Sequence, residues 1–203
     1  MPGFFTEITP RAPSNGLEQV LLRSQTGFTV IELMIVVVIV AVLTVIGLPS
    51  YKYVISSNTA GADINTLLAD MQHARTEAVK QGQSVEVCAA NTASYQSGAA
   101  TFACSGSTTW KNGWMTCLAS ACAAASYATG LIRLHAPLTS SNYLTGTVSA
   151  VTFNYFGFSN YATGGSITDT PTGAIGSANQ QKTLCVSGVG NLQTVTGDNT
   201  TCP

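Results

Sequence analysis

One carboxylate and six thiols are the residues of this chain whose types and spacing could do chemistry. Glu32 is the only charged side chain in TGFTVIELMIVVVIVAVLTVIGLPSY, residues Thr26 to Tyr51. A carboxylate in the middle of a lipid-embedded helix costs on the order of 2.5–3.5 kcal/mol, less near the interface. It needs a cation, and no Lys, Arg or His lies between Arg23 and Lys52. Cutting the peptide bond between Gly27 and Phe28 would supply one. The new α-amino group would stand one helical turn from Glu32. The carboxylate could then meet its own amine, or that of a second copy displaced along the axis. Within an apolar bundle such a pairing fixes register.

Cys88, Cys104, Cys117, Cys122, Cys185 and Cys202 all follow the apolar run, and no cysteine precedes it. An even number in a Ser/Thr/Gly/Asn-rich region reads as a disulfide framework formed in an oxidising compartment. Zinc is the rival reading. There is no Cys-x-x-Cys, and the only nearby histidine is His135, so neither a metal nor another cofactor is expected. Spacing alone leaves the connectivity open. Ser and Thr are abundant, but without a Gly-x-Ser-x-Gly turn or an acid–base pair the chain is not expected to be an enzyme.

The elements that must position these residues follow from composition. Only 8% of the 203 residues are charged, yet 45% are hydrophobic, which argues for a packed or membrane-bound chain over a disordered one. The charges from Gln81 onward are Glu86, Lys111, Arg133, Asp169, Lys182 and Asp198. They cancel and do not cluster, whereas a surface that neutralises phosphates needs grouped Lys and Arg. No nucleic-acid partner is expected.

Residues 1–27 lack helical or strand periodicity and read as a leader or tail. Phe28 to Leu48 is a 21-residue apolar stretch, about 32 Å as a helix against a hydrocarbon core of about 30 Å. A secretory signal peptide would have a shorter apolar region ending in small residues. On hydropathy alone a plain single-pass anchor is the favoured reading. The positive-inside signal is balanced between Arg23 and Lys52. Pro49 removes a helix hydrogen bond and should kink or loosen the helix, helped by Gly47.

Helical spacing then resumes with Ile64, Leu67, Leu68, Met71, Ala74, Ala78 and Val79, while Asp63, Asp70, Arg75, Glu77 and Lys80 fall largely on other faces. Gln81-Gly82 should stop it. Strands are expected at Ser84–Cys88, Gly113–Leu118, Gly130–His135, Val148–Phe158 and Thr183–Ser187. Long polar loops are expected at Ala89–Thr109 and Tyr161–Gln180. The fold class is α+β: a long bent N-terminal helix packed on an antiparallel, disulfide-bonded β-rich head. Its parts are residues 1–27, the apolar half-helix 28–50, the amphipathic half 51–81 and the head 82–203. Trp110 and Trp114 flank a turn and read as packing residues. His73 and His135 read as structural, and Arg75 and Glu77 as a solvated or locally paired helix end.

GFTVIELMIVVVIVAVL, with Gly27 before the cut, Phe28 after it and Glu32 beyond, resembles the class III signal of type IV pilins and type II secretion pseudopilins. The resemblance implies cleavage by a prepilin peptidase, N-methylation of Phe28, and a bending role for Pro49. Further on, LLADMQHARTEAVKQGQSVEVCAANT, WKNGWMTC and LIRLHAPL resemble the FimT/FimU minor pilins and H-type minor pseudopilins, over about Leu67 to Leu138. A Phe-containing strand near Phe153 fits as well.

In that family a first cysteine pair would be Cys88–Cys104, and a C-terminal loop would be closed by Cys185–Cys202. Cys117–Cys122 is then paired by proximity in sequence. The implied function is a minor type IV pilin that joins other minor pilins and the major pilin to prime or cap the fibre. It would be held in the inner membrane with a periplasmic head before assembly, and then sit in the fibre at the cell surface. A type II secretion pseudopilin is the alternative. A DNA-uptake pilin is disfavoured, because the family's Gly-Arg-x-Arg motif corresponds here to Gly190-Asn191-Leu192-Gln193.

Overall fold

Helix α1 (Val30–Gln81) begins where its first side-chain cap allows. The Glu32 N–H donates to Thr29 Oγ1 at 3.2 Å, so Thr29 is the N-cap that satisfies an otherwise orphaned donor. At the other end Gly82 takes a left-handed φ of 64°. The Gln83 N–H closes back on the Ala78 carbonyl, the hydrogen bond of a glycine-terminated helix. The computed structural model describes residues 27–91, 101–126, 128–140, 142–161, 164–172, 180–197 and 202, with backbone alone at 48–50 and 53. The expected leader lies outside these residues. Helical backbone runs through Pro49 without interruption; its side chain is outside the described set.

The chain divides into two units, one up to Ala41 and one from Val42 onward. In the first, every described side chain from Phe28 to Ala41 is exposed. Among the described residues, the second holds eight strands in two antiparallel four-stranded sheets. One has the order β3-β2-β1-β5 and the other β4-β6-β7-β8. In the first sheet, β1 (Val85–Ala89) is central, between β2 (Trp114–Leu118) and β5 (Ala150–Phe153), with β3 (Leu131–His135) outermost. The second sheet joins β4 (Tyr143–Gly146), β6 (Gly165–Thr170), β7 (Lys182–Val186) and β8 (Leu192–Thr196).

Two clusters of buried residues fill this unit: a smaller one of Cys88, Ala90, Met115, Cys117, Cys122, Ala125 and Leu131 on the outer side of the first sheet's disulfides, and a main core between α1 and both sheets. From α1 the main core takes Ile64, Leu67, Met71, Ala74 and Ala78, all essentially inaccessible. This three- and four-residue spacing is the face expected from the sequence. Val85, Val87, Trp114, Val151 and Phe153 reach it from the first sheet, and Leu144, Ile167, Leu184 and Val186 from the second. Two helix positions depart from expectation: Val79 is exposed and Asp70 is buried.

The expected strands at β1, β2, β3 and β7 form. The expected Val148–Phe158 strand is shorter. It stops at Phe153, because Asn154 Oδ1 accepts the N–H groups of Phe156 and Phe158 and turns the chain, as Asn side chains do at turns. Three strands escaped the sequence reading: β4, β6 and β8. Strand β6 falls inside the stretch expected to be a loop, Tyr161–Gln180. Its sequence, GSITDT, carries one large apolar residue, Ile167, too few to show alternation.

Three disulfides join Cys88 to Cys104, Cys117 to Cys122 and Cys185 to Cys202, with Cα separations of 5.6, 5.5 and 5.5 Å. These are the pairs set out above. The first ties β1 to the segment before Trp110, the second closes the turn after β2, and the third ties β7 to Cys202.

Candidate functional site

The processing and assembly residues expected from the sequence gather at the start of α1. Gly27 and Phe28 precede the cap, and Phe28 is 81% exposed. Glu32 is the acid of the first helical turn, where the unpaired N–H groups make the helix end partly positive and favour an anion. Sequence reasoning missed this setting. Thr29 stands three residues before Glu32, the spacing of a capping box, so Glu32 has a local role available beside an intermolecular one. Among the described residues, no cation pairs with it. The apolar window Val30–Gly47 is long enough to cross a membrane, and none of it is buried within the molecule.

The head residues singled out by the sequence do different work. Trp110 donates from Nε1 to the Val148 carbonyl at 2.8 Å. Trp114 donates to Asp70 Oδ2 at 2.8 Å, and the Arg133 guanidinium meets Asp70 Oδ1 at 2.8 Å. His135 stacks on Trp114 with ring centroids 3.9 Å apart. The two tryptophans and His135 are therefore structural, and Asp70 is the buried acceptor that fixes α1 against the first sheet. Glu77 pairs with Lys80 at 3.0 Å on the exposed helix end.

Arg75 does more than the local pairing expected of it. Its Nε donates to the Gly157 carbonyl at 3.0 Å, and Nη2 reaches the Val189 carbonyl. Gly157 and Gly190 both have left-handed φ values, 81° and 75°. A Cβ on Gly190 would overlap the Gly157 carbonyl oxygen, so the two turns interlock only as glycines. Asn191, Leu192 and Gln193 thus lie in and just after a turn held by Arg75.

Asp169 on β6 was not anticipated as anything but a lone charge. Its side chain is fully buried, and neither oxygen has a hydrogen-bond donor among the described residues. Burial, reinforced by the neighbouring Asp63 carboxylate, makes it a weaker acid, its pKa pushed up to about 7, with Asn142 and Lys111 opposing the shift.

An exposed apolar helix that opens on a cap and a single acid, followed by a two-sheet head built on the rest of that helix, defines the pilin class of fold. The comparisons agree. Residues 63–190 match the family described as type II transport protein GspH, and residues 22–48 match the prokaryotic N-terminal methylation motif. The chain belongs to the GspH family. Its fold is similar to that of a solved structure of the type IV minor pilin FimU from Pseudomonas aeruginosa, with a TM-score of 0.51 and 21% identity over 68% of this chain and 89% of that one. A second crystal form of FimU aligns with a TM-score of 0.46 and 22% identity, over 68% of this chain and 91% of that one. No curated protein matches the sequence.

Proposed function

We propose that the chain is cut between Gly27 and Phe28 by a prepilin peptidase, methylated on the new amine, and assembled as a minor type IV pilin. Before assembly Phe28 to Leu48 spans the inner membrane, with the head in the periplasm. In the fibre the same surface packs on the helices of other minor pilins and the major pilin. There Glu32 meets a neighbour's amino terminus, and Pro49 lets the helix bend between its two environments. The complex so formed primes or caps the fibre. The mechanism is binding without turnover. One observation carries this reading: a wholly exposed apolar helix start whose only charge is Glu32, directly beyond a Gly27-Phe28 junction.

Intact mass of membrane-extracted protein tests the processing, because a chain beginning at methylated Phe28 is required. Co-purification tests the assembly. Glu32→Gln keeps a capping side chain but removes the charge, so it separates the local role from the intermolecular one. The expected result is a stable, membrane-bound protein that no longer brings down other pilins; unchanged co-purification refutes the pairing.

The GspH match supports a second reading, a minor pseudopilin of a type II secretion system, in which the same physics serves protein export. Loss of secretion with intact pili in a deletion strain would select it. DNA uptake is disfavoured, since residues 191–193 supply no arginine. Salt-dependent binding to duplex DNA near physiological ionic strength would reverse that judgement.

A further inference from the structure

Arg75 is surrounded by apolar side chains that the core does not cover. Val79 in the last turn of α1, Tyr155, Phe156 and Phe158 in the turn after β5, and Val189 in the turn after β7 are all exposed. They form one surface. A Cβ on Gly157 would lie 3.1 Å from Arg75 Nε and 3.5 Å from Val79 Cγ2. The rings of Tyr155 and Phe156 are 4.3 Å apart, and those of Phe156 and Phe158 6.4 Å. Val189 joins through its carbonyl, which accepts from Arg75 Nη2. The aromatic turn is ordered in advance, because Asn154 Oδ1 accepts the N–H groups of Phe156 and Phe158. Fixed aromatic rings around a guanidinium have the composition of an interface centre, and prior order lowers the cost of binding.

Two grooves, of about 580 and 290 Å³, meet here, and Arg75 and Thr76 line both. Val79 and Phe156 line the larger. Arg75 spends Nε and Nη2 on backbone carbonyls, and among the described residues no carboxylate pairs with it. Glu77, its neighbour on the helix, is taken by Lys80 and Gln81. A guanidinium carries five N–H donors, so donors remain for an incoming acid. We propose that this surface docks the head of a different pilin, whose acidic side chain meets Arg75 while flanking apolar residues cover Val79 and Phe156. The inference rests on the assembly reading above. A second copy of this chain supplies no matching acid among its described head residues. Asp70 and Asp169 are buried, Glu77 is bridged to Lys80, and Asp63 and Glu86 accept from Ser140 and Thr152. Nucleic acid needs a row of cations, and Lys80 beside Arg75 is already neutralised by Glu77.

The test uses the full chain in its native cells, with a photo-crosslinking amino acid in place of Phe156. The crosslink should fall on another pilin's head, in a peptide where Asp or Glu stands beside apolar residues. Thr76→Glu places a fixed carboxylate in both grooves, where it occupies Arg75 and repels an incoming acid. It should cut recovery of the crosslinked pilin about tenfold, whereas Thr76→Gln, of the same size, should leave recovery unchanged. Phe156→Ser should lower co-purification comparably without moving the melting temperature, because the side chain is exposed. Equal loss in Thr76→Gln overturns the acidic partner, and a crosslink to a second copy or to nucleic acid overturns the docking surface. Full recovery with Thr76→Glu and Phe156→Ser, alongside loss with Glu32→Gln, refutes the surface and leaves the assembly reading standing. If the unaltered chain recovers no pilin at all, the assembly reading itself falls, and this inference with it.

Discussion

Two stretches of α1 behave as if they belonged to different proteins. From Val30 to Gly47 every side chain is exposed, and all but a few are large and apolar; between Ala60 and Ala78 one face is buried at three- and four-residue spacing. The second stretch finds its apolar partners in the molecule's own two sheets. The first finds none there, so lipid or other molecules must supply them. Helicity is the same in both. What differs is where the cost of exposing hydrocarbon to water is relieved.

The contrast can be broken or sharpened by substitution. Trp114→Ala should have the largest effect, lowering the stability of the head by about 3–5 kcal/mol through lost packing and an abandoned acceptor on Asp70; thermal denaturation reads it. Next comes a pH effect. The pKa of Asp169 is raised to about 7 in the folded state, from an ordinary 3.8. Its contribution is therefore fully present below about pH 4 and is lost as pH rises through about 7, on the order of 2–4 kcal/mol in all. Melting curves should fall across that window and level off above it, and Asp169→Asn should flatten the profile.

Asp70→Ala should cost about 1–3 kcal/mol, because Trp114 Nε1 loses its buried acceptor while the half-exposed Arg133 recovers water. The smallest effect on stability belongs to the other stretch. Ile39→Ala should change the melt of the head by less than about 0.5 kcal/mol, yet weaken co-purification with partner pilins. A loss of head stability comparable to that of Trp114→Ala would erase the distinction between the two stretches.

Much of this was legible in the sequence because it rests on strong periodic signals. The stripe of Ile64, Leu67, Met71, Ala74 and Ala78 and the alternation around Val85 and Val87 each involve several large apolar residues in register. Strands β4, β6 and β8 were illegible for the opposite reason. They are short, rich in Thr, Ser and Gly, and take their place by pairing with neighbours rather than by a pattern of their own. The same blindness hid Asp169: a lone acid among Ser and Thr looks solvated until the strand that turns it inward is known. At the start of α1 the methylation motif was legible from residue types alone, and residues 22–48 match it. The capping spacing of Thr29 and Glu32 was present in the sequence too, but the question of charge in lipid obscured it.

Arg75 reaches from the helix to the turn after β5 with one nitrogen and to the turn after β7 with another. Ser159 stitches those same turns together, its N–H to the Gly188 carbonyl and its hydroxyl to the Ser187 carbonyl. A pulling force carried along α1 would thus be shared at one rivet by both sheets. Sliding one sheet past the other would require several bonds to give way at once.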